Sequence, residues 1–468
     1  MEKKKMTKIV LTKTLKQHTP LLHFSPLEPG ATLRASEVKP KLDRYLIKKL
    51  GGGDYEAGKS KVELEHKTWF IPKDGVYALN YQLKIIAEKK ENSIAIGGAD
   101  PKDKFNKETQ KTETYYNLSS YPLVLSNMGG KLDKEKLANF SFYENIRLVF
   151  IFPTEVNGQK VDGEGLYKEI NDNIVEFFSL TNFGQRSGKG FGSFTVTDDN
   201  NNSVICFPEK PPYFTCTLKS QSKSQLFSDL FTVIDYYWKS LKTGINYPSR
   251  TIRVKDKKTR KIVLKEIEQV YHKSFLYKYL NKEELGLTWE KRLIKKELDF
   301  INGDKKQTVE NPHPAFFARA QLGLPGDFIQ YLVPEKYYDR KENCFKEVNK
   351  PVKVFVKHKV RDRNEDKIER IPSPIIFKPI VSGSDVTVYL LVNDKVVAAI
   401  SGLPDNTRFS FTREKPSRTV DVDLFPNKEK YIIDQRDLIA SFHEKLGHVL
   451  KVVNFKRNEI AEVKLFDK

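Results

Sequence analysis

Cysteine is scarce in this 468-residue chain: Cys206, Cys216 and Cys344 are the whole set. Three scattered thiols exclude a disulfide framework, and with no CxxC pair among them they exclude a zinc knuckle. Cys206 and Cys216 lie in apolar, strand-like stretches and are expected to be buried thiols. Long apolar runs are missing too. None approaches the roughly 18 residues that cross a bilayer, and the N-terminal MEKKKMTK has no hydrophobic segment behind its lysines. No membrane partner is expected, and the expected location is cytoplasmic. Acidic residues are in deficit, 61 Asp and Glu against 81 Lys and Arg, for a net charge of +20. Such a surplus favours polyanions, nucleic acid first. It is spread along the chain: residues 1–50 carry twelve Lys and Arg against four acids, and residues 250–296 carry fifteen against six.

The hydrophobic pattern places elements along the chain. KIVLTKTLK (8–16) reads as a strand, and residues 36–50 as a helix with Val38, Leu42, Tyr45, Leu46 and Leu50 on one face. Ser36 is positioned to cap that helix, and Gly51–Gly53 stop it. YALNYQLKI (77–85) alternates as a half-buried strand, 88–113 reads as a polar loop, and IRLVFIF (146–152) suits a central strand. A helix over 164–180 follows, then a glycine loop, then FGSFTVT paired with SVICF. This βαββαβ order is ferredoxin-like, and a sheet of that kind offers an open face on which single-stranded RNA modules stack bases against aromatics.

PEKPP (208–212) marks a boundary, after which the order recurs: strand 213–219, helix 224–242, strands 375–381 and 386–392, helix 434–446, strand 448–455. The expectation is an α+β protein of two ferredoxin-like, RRM-like domains, 1–210 and 211–468. The second carries a basic, largely helical insertion over about 244–370, with helices at 262–300 and 314–323.

NFGQRSGKGFGSF (182–194) packs Gly184, Gly188, Gly190 and Gly192 around Arg186 and Lys189. It is not a nucleotide-triphosphate loop: its spacing is one residue short, Gly190 stands where the magnesium-binding hydroxyl belongs, and it follows a helix. The dinucleotide pattern G-x-G-x-x-G fails as well. Two readings stay open, a glycine-built turn and a backbone-exposing loop, Gly184 and Gln185 included, that lets a sugar-phosphate chain approach Arg186 and Lys189. A second anion candidate is the helix start at Arg34, with Lys39, Lys41 and Arg44 on the turns that follow; a solvated amphipathic face explains it equally.

HEKLGH (443–448) resembles a zinc-protease motif, but His443 and His448 are five apart and point about 140° from each other, so they read as helix-end polar residues. Asp198–Asp199 read as a solvated hairpin tip. His18 and His23 flank a turn and could each act as a general base on an RNA 2′-hydroxyl, though neither has a recognisable partner. No metal or cofactor site is expected.

TPLL with PGATLRASEVKPKLDRYL, closed by FGQRSGKGFGSF, resembles the RAMP superfamily of CRISPR-associated proteins, whose glycine-rich loop lies between the second helix and last strand of a ferredoxin-like domain. RIPSPIIFKPI (370–380) and FFARAQLGLP (316–325) resemble the second half of the two-domain RAMP subunit of type III-B (Cmr) complexes. The resemblance implies an RNA-binding subunit without catalysis of its own, bound to guide (CRISPR) RNA, single-stranded target RNA and other RAMP subunits. It would place Arg34, Lys39, Gln185, Arg186 and Lys189 near RNA, with Arg370 and Lys378 on the second domain's counterpart surface. Gly188–Lys189 replace two adjacent basic residues common in the family loop, so one cation is lost. A metal-independent endoribonuclease and a protein scaffold without nucleic acid are the alternatives.

Overall fold

The structure is a computed structural model of the chain. It describes residues 8–467 except 22–31, 72–76, 91–93, 96–100, 107–110, 117–138, 141, 157, 219–222, 248–249, 256–261, 268–269, 281–287, 299–314, 325–327, 340–342, 360–370, 406, 415–416, 426 and 455–458. Among the described residues the chain is a mixture of helices and mainly antiparallel sheets, as an α+β protein should be.

The first half runs β1 (Lys8–Gln17), α1 (Ala35–Leu50), α2 (Tyr55–Glu65), β2 (Gln82–Lys90), β3 (Tyr143–Pro153), α3 (Gly163–Leu180), β4 (Phe194–Thr197) and β5 (Ser203–Val204). The sheet order is β5-β4-β1-β3-β2, every neighbour antiparallel. Alternation drives it. Leu148, Phe150 and Phe152 on β3 face inward against α1 and α3, while Arg147, Val149 and Ile151 face out. α1 buries Val38, Leu42, Leu46 and Ile47, the stripe read from its period. Three local expectations change. Ser36 lies inside the helix, whose cap is Arg34 without a side-chain bond. β2 begins at Gln82, five residues later than the alternation at Tyr77 suggested. The stretch read as a polar loop contains a hairpin, Pro101–Asn106 with Lys111–Tyr116.

The second half runs β6 (Tyr213–Thr217), α4 (Lys223–Lys242), β7 (Ile375–Ser382), β8 (Asp385–Val392), α5 (Asp394–Ser401), α6 (Gln435–Lys445), β9 (Val449–Asn454) and β10 (Glu459–Phe466). Its sheet order is β7-β8-β6-β10-β9, again antiparallel throughout. The strand expected to close this sheet, β9, is its edge. β10 takes the place beside β6, with Phe466, Leu465 and Lys464 in register with Tyr213, Phe214 and Thr215, and β9 pairs outside it; Leu450 and Val452 of β9 reach the core as Val463 and Leu465 of β10 do.

Among the described residues, the segment between α4 and β7 is not largely helical. Its described helices are Phe275–Leu280, Glu290–Glu297 and a short 3-10 turn at Ala318–Leu322; Ile262–Ile267, Phe328–Asp339 and Cys344–Lys359 are strands. The reason is visible in VKVFVK, where Val352, Val354 and Val356 recur with period two and branched side chains suit a pleated surface. The last two of these strands join Arg408–Arg413, Arg418–Asp423 and the short Ala315–Phe316 and Thr288–Trp289 in a six-stranded sheet around a separate core of Val354, Val356, Phe409, Phe411 and Val422.

Candidate nucleic-acid interface

The glycine loop is a docking element on one side and an open rim on the other. It leaves α3 at Asn182, whose backbone bridges to Ser193 across the loop's base, and Phe183 N–H donates to Gly192 O at 2.9 Å. From below, Thr19 seals it: its hydroxyl donates to Gly190 O at 2.7 Å and accepts from Ser193 N–H at 2.9 Å. Gly190 and Gly192 have φ of +91° and +63°, a region that costs other residues about 1–2 kcal/mol. There is no room either. A Cβ on Gly190 would come within 2.9 Å of Pro379, and one on Gly192 within 2.0 Å of the Phe183 carbonyl oxygen.

Phe191 carries the loop into the second half. It is fully buried in that half's core and stacks on Phe231 of α4 with centroids 3.9 Å apart. Asn182 donates to Phe377 O and the Ser193 hydroxyl to Pro379 O, both on β7. The turn reading is therefore correct for Gly190 and Gly192. Gly188 differs, since a Cβ there would meet nothing within 4 Å. Gln185, Arg186 and Gly188 stand half-exposed on the rim, with Arg186 held at φ +55°.

Lys189 leans back from this rim, its Nζ 4.1 Å from the centre of the Trp238 ring. Burial lowers its pKa to about 8; Asp235 opposes the shift and Arg186 adds to it. Lys242, buried with its Nζ 5.3 Å from the centre of the same ring, donates to Leu322 O at 3.0 Å and to Gly323 O, and burial pushes its pKa well down.

The expected cations scatter. Lys39 is committed inside the first half, donating to Asp43 at 2.8 Å and to Leu79 O at 2.7 Å. Burial lowers Lys39 and raises Asp43, outweighing their attraction in both cases. Lys41 ties α1 to the loop, pairing with Glu37 at 2.9 Å and reaching Asn182 O at 3.3 Å, while Glu37 also accepts from Gly184 N–H at 2.7 Å. Arg34 and Arg44 remain exposed, Arg44 lying 5.5 Å from the Tyr55 ring centre. Lys378 is the clearest correction. Expected on a surface, it is fully buried and donates to Thr181 O at 2.9 Å and Phe194 O at 2.8 Å, because β7 forms the seam with the first half. Arg370 lies outside the described residues.

His18 is a seam residue. Its Nδ1 accepts from Val381 N–H at 3.0 Å, and its Nε2 lies 2.8 Å from the Thr195 hydroxyl. Burial, aided by Lys378 and Lys16, lowers its pKa to about 3. A neutral, enclosed imidazole is not presented to a 2′-hydroxyl. His23 lies outside the described residues. His443 is likewise no solvated helix end: it is fully buried, 2.8 Å from the Tyr237 hydroxyl and 2.7 Å from the Asp467 carboxylate, with burial lowering its pKa to about 4. Asp198 does cap a hairpin tip, accepting from Asn200 and Asn202 N–H. Cys216 is buried as expected, whereas Cys206, past the end of the short β5, is exposed.

Among the described residues no group of His, Cys, Asp and Glu is placed to hold a metal ion, and no helix is long and apolar enough to cross a membrane. Among the described residues, the outward face of the first sheet carries Val10, Thr12, Arg147, Val149, Ile151 and Lys84, with no aromatic among them on which a base could stack. Sequence reasoning missed Trp238 and Asp235 behind the loop, and Lys395 on α5, which burial and then Arg44 and Lys48 of α1 depress. Only Arg44 and Lys48, four apart on one helix, left a signal.

The glycine loop lies between α3 and β4, wedged between two sheet-and-helix halves, where the resemblance to CRISPR-associated RAMP proteins implies such a loop. The Cmr1 N-terminal domain family matches residues 8–245 and the Cmr1 C-terminal domain family matches residues 271–463. The chain belongs to the Cmr1 family, and is thereby a Cmr-type subunit of type III-B CRISPR effectors. Two solved chains are similar. One comes from a cryo-EM structure of the Type III-B Cmr-beta bound to cognate target RNA and AMPPnP, in the presence of ssDNA; it is 15% identical, covering 82% of this chain and 94% of that one, with a TM-score of 0.33. The other, from the Type III-B Cmr-beta bound to cognate target RNA, is 12% identical over 84% and 98%, with a TM-score of 0.30. No curated protein matches the sequence.

Proposed function

We propose that this chain is an RNA-binding structural subunit of a type III-B effector ribonucleoprotein in the cytoplasm. It binds guide RNA and captures single-stranded target RNA beside other RAMP subunits, without catalysis of its own. Both halves are ferredoxin-like, 1–210 and 211–468. Numbering the strands of each βαββαβ unit one to four, with β10 and not β9 as the fourth of the second half, the order is 4-1-3-2 in both, with one added edge strand. The observation that carries the RNA reading is the loop's division of labour. Gly190, Phe191 and Gly192 are consumed by docking, while Gln185, Arg186 and the unobstructed Gly188 leave a backbone rim that a phosphate chain can approach.

Arg34 and Arg44 extend the positive surface, and Lys189 contributes from behind the rim. Lys39, Lys41 and Lys378 hold the scaffold that carries it. The test is single-stranded RNA binding across a salt series. Arg186→Ala with Lys189→Ala should weaken binding and flatten the salt slope by about 0.7 for each phosphate no longer neutralised. An unchanged affinity and slope would remove the loop from RNA recognition.

A further inference from the structure

The aromatics absent from the outward face of the first sheet are present on the second. On β6, Phe214 and Cys216 point into the core, so Tyr213 and Thr215 point out. Tyr213 is in register with Tyr389 of β8 on one side and Phe466 of β10 on the other. Their rings form a row. Tyr389 and Tyr213 have centroids 5.5 Å apart, and Tyr213 and Phe466 stack at 4.8 Å with planes 15° apart. Phe207, from the segment joining the halves, extends the row at 4.8 Å from Tyr389.

The row is closed at one end and open at the other. Lys378, in register with Tyr389, is sealed in the seam, and Phe207 covers that side. Phe466, at the other end, is 36% exposed and leaves one side of its ring open to solvent beyond its stack on Tyr213.

The surrounding charge selects the occupant. Lys210 has its Nζ 4.7 Å from the Tyr213 ring centre, and Lys464 and Lys451 stand exposed on β10 and β9. Acids on or beside these strands are Glu209, Glu462, Asp385 and Asp467, the last paired with the buried His443 at 2.7 Å. Glu462 is in register with Lys451, and Asp385 accepts from the Thr217 hydroxyl at 2.7 Å. A row of half-buried rings ending in the exposed Phe466, with lysines around it, suits bases joined by phosphates, because every base has a face to stack and every linkage a charge to neutralise.

We propose that Tyr213 and Phe466 are a stacking platform for bases of single-stranded RNA, with Lys210 and Lys464 meeting the backbone. The proposal rests on the RNA-binding reading above and adds a second contact zone that is independent of the glycine loop. The full-length chain would be titrated with a single-stranded oligouridine across a salt series, as wild type, Phe466→Ala, Phe466→Trp and Arg186→Ala. Loss of one stacked base should weaken binding by Phe466→Ala by about 5- to 150-fold at every salt concentration, with the slope unchanged. Phe466→Trp should keep the affinity, while Arg186→Ala should change the slope. Photo-crosslinking of iodouridine-substituted RNA to the wild-type chain should label Phe466 or Tyr213, which decides the matter even if Phe466→Ala does not fold.

Wild-type affinity in Phe466→Ala, with crosslinks elsewhere, would overturn the platform, leave the RNA-binding reading standing and make a protein partner the occupant of the row. A wild-type chain that binds no RNA would overturn both.

Discussion

Gly192 and Gly188 sit four residues apart in one loop, yet replacing each with alanine should give opposite results. At Gly192 the backbone has φ +63°, which costs an alanine about 1–2 kcal/mol. Its Cβ would lie 2.0 Å from the Phe183 carbonyl oxygen, so the two backbone segments must part. Parting them puts at risk the Phe183 N–H to Gly192 O bond and the Gly192 N–H to Pro20 O bond, 2.9 and 2.8 Å long and each worth about 0.5–1.5 kcal/mol. Conformation and broken hydrogen bonds together come to about 2–5 kcal/mol. Gly188 lacks the left-handed φ and has open space at Cβ, so Gly188→Ala should be neutral or stabilise by up to about 1 kcal/mol. Denaturant unfolding of the full-length variants, followed by fluorescence and by far-ultraviolet circular dichroism, measures both. A Gly192→Ala midpoint equal to wild type, or a Gly188→Ala midpoint as low as that of Gly192→Ala, would refute the assignment of these glycines to docking and rim.

Three further outcomes concern the seam and the rim. Phe191→Ala removes a fully buried ring stacked on Phe231 and should cost about 3–5 kcal/mol; protease cleavage near the 208–212 boundary should rise with it, and wild-type resistance would contradict the packing. His18 is held neutral, with its pKa lowered to about 3 against 6.5 in the unfolded chain. The unfolded state thus binds the extra proton first, so stability is full above about 6.5 and falls as pH drops toward about 3. His443, lowered to about 4, adds in the same direction. A pH series of unfolding midpoints should show this, with a shallower acid slope in His18→Gln; an identical slope would mean His18 does not titrate on unfolding. Lys189, with a pKa near 8 set by burial and by Arg186 against Asp235, should lose its charge as pH rises through that value. RNA affinity should then decline above pH 8 in the wild type and stay flat in Lys189→Arg, and a wild-type profile without that decline would exclude Lys189 from RNA binding.

Local periodicity made much of the fold legible. The stripe of Val38, Leu42 and Leu46 is the buried face of α1, the alternation through Leu148, Phe150 and Phe152 is the inner face of β3, and the Asp198 tip is the turn it was read to be. The insertion misled because KIVLKEIEQV and its neighbours mix charged and apolar residues in a way that two periods accommodate. Its longest strand is held by pairing with residues far along the chain, up to Arg408–Arg413. The closing strand of the second sheet misled for the same reason: β9 and β10 both alternate, and the tertiary register alone sets which lies against β6.

The site divided along that line. Charge excess, the lack of a membrane-spanning run and the glycine spacing are properties of residue order, and they hold whatever shape the chain takes. Which cation faces solvent depends on packing. Lys39, Lys41 and Lys378 looked like Arg34 and Arg44 in the sequence, yet backbone carbonyls and carboxylates from residues up to 197 positions away claim their ammonium groups. The row of Phe207, Tyr389, Tyr213 and Phe466 has no sequence signature at all, since its members span 260 positions, from 207 to 466, and meet only through strand register. Burial and register are set by which surfaces the chain brings together, and no local pattern records them.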